Sequence, residues 1–213
     1  MADLSFAVLD AHAESHAAAP TLKFKLRVSD AAATPVHAIL LRCQIQIDTR
    51  RRRHAPAEQE RLADLFGEPE RWRDTLKPLV WSSVSVNVPG FEGSVEVDVP
   101  VACTYDFEVS AARYLNTLEG GDVPLLFLFS GTMFIRSQNG FQVQQIPWDK
   151  EAAFRMPVQV WRDLMDLYFP GSAWIRLRRE NVDALERFRA RNQMMSMDEA
   201  IEALMAAAEA PVR

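Results

Sequence analysis

The chain has 213 residues, of which 48% are hydrophobic and 25% charged, with a formal net charge of −5. That length is enough for one domain with appendages and a sizeable core. The acidic balance argues against nucleic acid as a partner, and no apolar run approaches the roughly 20 residues that a membrane-spanning helix needs. Two cysteines and an N-terminus without a basic-then-apolar leader give the reducing cytoplasm as the expected location.

Leu4, Phe6 and Val8 alternate and predict a short first strand, followed by a small, polar loop over 10–20 (DAHAESHAAAP). Leu22, Phe24, Leu26 and Val28 alternate with Lys23, Lys25 and Arg27, so a second strand buries one face and keeps a basic face in water. Ile39, Leu41, Cys43, Ile45 and Ile47 alternate with Arg42, Gln44, Gln46 and Asp48. The polar face of this third strand is mostly uncharged, which suits partial cover by another element. The period then changes. In PAEQERLADLF (56–66), Leu62, Leu65 and Phe66 share a helical face, Pro56 fits the first turn and Gly67 the stop. A further helical turn from Pro69 groups Trp72 with Leu76. This insertion is expected to cover one end of a β core.

Strands resume at Val80. Val84, Val86 and Val88 alternate with serines and Asn87 as far as Pro89-Gly90. Val95, Val97, Val99, Val101, Cys103, Tyr105, Phe107 and Val109 hold one phase, predicting one long strand in which Pro100 marks an edge or a bulge. The stretch 123–148 (VPLLFLFSGTMFIRSQNGFQVQQIPW) organises the rest. Its Leu125–Phe129 run predicts a central strand buried on both faces. Asn139-Gly140 is a hairpin turn, pairing Val123–Arg136 with Phe141–Pro147. After Trp148 the pattern switches to helix, with Pro157 at its first position and Val160, Trp161, Leu164, Met165 and Tyr168 as its apolar stripe. Trp174, Ile175 and Leu177 suggest a last short strand, 180–192 a helix, and Ser196-x-x-Glu199 a capping box opening a final helix. The fold class is therefore α+β, mainly antiparallel β. A two-sheet β-sandwich spans 1–178 with a helical insertion at about 56–76, and C-terminal helices span 179–213.

Chemistry is sparse. Asp10, His12, Glu14 and His16 would share a face on a strand and could hold zinc, but the alanines around them favour a solvated loop and no metal. Cys43 and Cys103 fall on apolar phases, as buried free cysteines do, and no C-x-x-C is present. Ser130 stands outside any G-x-S-x-G, and no phosphate-cradling or dinucleotide loop occurs. No catalytic residue and no cofactor is assigned. The remaining feature is the run Arg50, Arg51, Arg52 and Arg53, followed by His54. Strand alternation would send Arg50 and Arg52 to one face and Arg51 and Arg53 to the other. Pairing with Glu58 and Glu60 would leave at least two guanidiniums in water. With Arg42 they would form a basic patch on an acidic protein, suited to an acidic protein partner. The five tryptophans are packing residues by default; exposed ones would mark a binding face.

LFGEPERWRDTLKPLVW (65–81), VPVACTYDFEV (99–109), VPLLFLFSGTMF (123–134), IPW (146–148) and YFPGSAWIRL (168–177) resemble an uncharacterised bacterial family. It is a domain of unknown function associated with gene neighbourhoods of actinobacterial-type NiFe-hydrogenases. The resemblance covers nearly the whole chain and brings no catalytic residues with it. It implies a non-catalytic binding or assembly accessory protein, with a hydrogenase subunit or maturation factor as partner. Two alternatives remain open. A small-molecule binder or enzyme would show a deep pocket between sandwich and helices, lined by Asp, Glu or His. A holdase-like chaperone would show a large exposed apolar patch.

Overall fold

The computed structural model describes residues 3–103, 109–137, 140–172 and 177–209. Residues 1–171 form one compact unit and 172–213 a second.

The first unit holds β1 (Leu4–Ala13), β2 (Thr21–Asp30), β3 (Val36–Ile47), β4 (Leu79–Phe91), β5 (Ser94–Ala102), β6 (Asp122–Ser137), β7 (Gly140–Gln145) and β8 (Glu151–Pro157). All pairings are antiparallel. One sheet has the order β1-β2-β5; the other has β4-β3-β6-β7, with β8 beside the first half of β6. The period-two strands thus build the expected sandwich, because each has one apolar face that only the opposite sheet can bury. Phe24 of β2 is the hub: its ring stands edge-on to Phe127 (5.1 Å), Trp81 (6.0 Å) and Phe154 (6.2 Å), all from the other sheet. Phe6 stacks on Phe129 at 4.2 Å.

The helices close one end. α1 (Pro56–Phe66) has the predicted bounds, and α2 (Trp72–Thr75) follows a 3-10 turn over Pro69–Arg71. α3 (Val109–Thr117) buries Tyr114 and Leu115, and α4 (Val158–Tyr168) buries Trp161 and Leu164. The Trp161 indole N–H donates to Asn116 Oδ1 (2.7 Å) and its ring meets Trp81 edge-on. The Tyr168 hydroxyl reaches the carbonyls of Glu14 (2.8 Å) and Ala17 (2.9 Å), tying α4 to the end of β1.

Four expectations need correction. β1 runs on to Ala13 through an irregularity between Val8 and Asp10, so half of the expected loop is strand. Alanines carry no alternation signal, yet Ala11 is buried opposite Phe24. β5 stops at Ala102, and at Val109, the end of the expected long strand, a helix begins. Residues 104–108 lie outside the described ones. The signal for α3 was there: Ala111, Tyr114, Leu115 and Leu118 recur at three and four and are all buried. β8 was not expected, although Ala152, Phe154 and Met156 alternate inward; seven residues with two alanines make a weak pattern. Finally, Leu126 and Leu128 of β6 are only half-buried, because the outer face of their sheet lacks the cover that the continuous apolar run implied. The turn residue Asn139 and the suggested strand at Trp174 and Ile175 fall outside the described residues.

The second unit contains α5 (Arg179–Arg191) and α6 (Met197–Glu209). The Ser196 cap is formed, with Ser196 Oγ accepting the Glu199 N–H (3.1 Å); the reciprocal bond of a capping box is displaced by one residue, Glu199 Oε2 accepting the Met195 N–H (2.8 Å). No helix among the described residues is long and apolar enough to cross a membrane.

Candidate functional site

The arginine run does not continue β3. A 3-10 turn over Thr49–Arg51 breaks the alternation and swings Asp48 inward, where it is buried. Its two carboxylate oxygens take Arg50 Nε (3.1 Å) and Arg51 Nε (3.2 Å). Arg52 turns into the protein, its side chain 10% exposed against 2% for Glu58. Arg52 Nη2 donates to Glu58 Oε1 (2.8 Å) and to the Gly120 carbonyl (2.7 Å), and Nη1 donates to the Asp122 carbonyl (2.7 Å). Glu58 also accepts the N–H groups of Glu119 (2.8 Å) and Ala55 (3.0 Å). Burial by itself pushes the Glu58 carboxyl up; the Glu119 and Ala55 amides and Arg52 outweigh it and hold the group below its ordinary value. Arg52 is thus a rivet between the start of α1 and the α3–β6 loop. Of the four predicted contact residues, Arg50 and Arg51 are exposed but share Asp48, Arg52 is internal, and Arg53 is exposed with no ion pair among the described residues.

His54 lies beside this rivet. Its Nε2 is 3.0 Å from the hydroxyl of fully buried Tyr114, and its ring stands edge-on to Trp72. Burial lowers the His54 pKa; Glu58 opposes the shift and Arg52 adds to it. A base with a lowered folded pKa stabilises the fold fully above its unfolded value, about 6.5, and loses that contribution as pH falls through the folded one. His54→Gln should therefore flatten the fall in melting temperature as the pH drops below about 6.5 relative to wild type. Parallel profiles for the two proteins would refute this.

The histidine cluster does not converge. His12 Nδ1 lies 3.6 Å from Asp10, and His16 Nδ1 lies 3.8 Å from Glu14, which also contacts Lys23. Among the described residues no group of three or more His, Cys, Asp or Glu could hold a metal ion. Cys43 and Cys103 are both buried, and burial pushes the Cys43 thiol up to about 12.

The two outer sheet faces differ in kind. On the three-stranded sheet the cations of β2 are paired: Arg27 with Glu96 (2.7 Å), Lys25 with Asp98 (3.7 Å) and Lys23 with Glu14. That is a solvated face. The five-stranded sheet presents Gln44, Gln46, Ser83, Ser85, Asn87, Ser130 and Thr132 among large apolar groups. Leu40 is 53% exposed, Phe141 and Val143 58% each, and Val80 is exposed as well. Trp148, between β7 and β8, is 92% exposed. Arg42, Arg136 and Arg155 project on this face without an ion pair among the described residues, and Arg51 and Arg155 line one cleft at its end. Glu151 and Asp122 are carboxylates on it, and Asp48 lines the same cleft as Arg51 and Arg155. At its centre an open groove of about 410 Å³ is lined by Leu40, Arg42, Ser85, Asn87, Ser130 and Gly131, among others. Gly131 has φ +146°, and a Cβ there would lie 2.1 Å from the Leu40 carbonyl oxygen, so only glycine lets β6 press so close to β3. Sequence reading missed this face because its residues come from strands far apart in the chain.

Among solved structures, the chain is similar to a beta-glucosidase of Kluyveromyces marxianus, with 9% identity and a TM-score of 0.27 over 73% of this chain and 15% of that one. It is also similar to beta-glucosidase 3B of Thermotoga neapolitana, with 10% identity and a TM-score of 0.25 over 72% and 17%. The chain spans less than a fifth of either enzyme, and likeness at this level carries no argument. No curated protein matches it. Over residues 1–213 the chain belongs to a family of unknown function, DUF6084.

Proposed function

We propose that the protein is a non-catalytic binding or assembly accessory whose working surface is the outer face of β4-β3-β6-β7, and that its partner presents an acidic surface. The observation that carries this is the contrast between the two sheet faces. One neutralises its own charges; the other exposes large apolar side chains bordered by unpaired guanidiniums on a molecule of net charge −5. Exposed aromatic anchors with an arginine rim are the composition of a recognition surface. The direction toward a NiFe-hydrogenase subunit or maturation factor rests on the sequence resemblance. The alternative of a deep pocket between sandwich and helices draws less support, since the cavity beside α3 and α4 is open and its lining has one carboxylate, Asp166, and no imidazole.

The test is co-purification from cells that make the hydrogenase. Wild-type protein should enrich a hydrogenase subunit or maturation factor, and Trp148→Ala or Leu40→Asp with Val143→Asp should cut that recovery about tenfold or more. Arg51→Ser with Arg53→Ser should weaken it most at low salt while leaving the melting temperature nearly unchanged, since Arg50 still neutralises the buried Asp48 and Arg53 has no ion pair among the described residues. Recovery of no hydrogenase component with wild type overturns the partner, and equal recovery with all variants overturns the face.

A further inference from the structure

We infer that β4 is a dimerisation edge: the free side of β4 pairs antiparallel with β4 of a second copy about a two-fold axis at Ser85. The first ground is that over Ser82–Val88 this edge carries no charge, proline or bulge to discourage strand pairing, the irregularity against β3 falling before it at Trp81. β4 (LVWSSVSVNVPGF) contains no Lys, Arg, Asp or Glu, and no proline before Pro89. Among the described residues it pairs with β3 alone, and Ser82–Asn87 have no partner on the other side. Each other edge is guarded. β5 has Glu96, Asp98 and Pro100; β1 has Asp10, His12 and a register irregularity; β7 spans six residues and β8 carries Glu151 and Arg155.

The second ground is self-complementarity. An antiparallel pair centred on Ser85 sets Val84 against Val86 on the inner face, and Ser83 against Asn87 and Ser85 against its own copy on the outer face. Isologous contacts require this kind of match. Leu79, Val84 and Val86 of β4, with Val95 and Val97 of β5, are apolar residues left half-buried along these two edge strands, and a second copy would cover Val84 and Val86. Charge does not oppose the pairing. Arg42 lies opposite Ser85 across β3–β4, so the two Arg42 groups would stand three strand spacings apart, about 14 Å. That exceeds the screening length of about 8 Å at physiological salt. The paired sheet would also make the proposed working face continuous across both copies.

The experiment measures the mass of the full chain by sedimentation equilibrium up to about 200 μM, with amide exchange as a function of concentration. Wild type should approach twice 24.1 kDa, and amides within 82–88 should slow as the concentration rises. Ser85→Lys and Ser85→Glu each put like charges face to face at the axis and should each raise the dimer dissociation constant tenfold or more, while an equimolar mixture should restore dimers. A wild type that stays at 24.1 kDa overturns the proposal. So does a dimer indifferent to both substitutions, or a mixture that remains monomeric, or β4 amides protected only when a different protein is added.

Discussion

Phe24→Ala should cost about 3–5 kcal/mol of folding stability, measured as the free energy of urea unfolding. Phe24 is fully buried at the centre of the sandwich and touches the rings of Phe127, Trp81 and Phe154 across the gap between the sheets. Deletion would remove its transfer free energy and leave a cavity walled by rings that strands on both sides hold in place. Because Trp81 also packs on Trp161, the loss would reach the helical end of the sandwich. A cost below about 1.5 kcal/mol would mean that the two sheets close over the gap, and that the ring cluster does not fix their spacing.

Arg52→Ala should be of similar size, about 3–5 kcal/mol, because it leaves the Glu58 carboxylate buried without its counter-charge and frees the carbonyls of Gly120 and Asp122. The same ion pair at the surface would be worth about 0–1 kcal/mol, so the size of the loss discriminates between a rivet and a solvated pair. Glu58 also sets the pH behaviour. Its folded pKa is lowered, so its contribution is fully present above the unfolded carboxylate value and is lost as pH falls through the folded one. Wild type should therefore lose stability in acid below about pH 4, and Glu58→Gln should lose less over the same range. A fully stable Arg52→Ala would return Arg52 to the group of residues available for recognition.

The arginine run shows where local reading ends. The sequence shows four adjacent cations, and alternation would have spread them over two faces. A 3-10 turn after Ile47 instead hands two of them to Asp48 and buries a third on Glu58. Asp48 looked like an outward strand residue, because nothing nearby in the chain announces that it lies under its own arginines. The groups that select Arg52 for burial, the carbonyls of Gly120 and Asp122, lie about seventy residues away in the chain. The candidate binding face behaves in the same way. Each of Leu40, Phe141 and Val143 reads as an unremarkable strand residue, and Trp148 as one more tryptophan. Their shared exposure follows from the side-by-side pairing of β3, β6 and β7.

What the sequence by itself determined is the sandwich: strict two-residue periodicity from Leu22 to Val28 and from Ile39 to Ile47, the helix after Pro56 and the Ser196 cap of the last helix. These follow from local sterics and from the need of each apolar face to be buried, and both act within a few residues. Only the tertiary structure decided which outer face neutralises its own charge and which edge strand stays unguarded. Those outcomes depend on which distant strand supplies the neighbouring side chain, and a one-dimensional pattern carries no term for that neighbour.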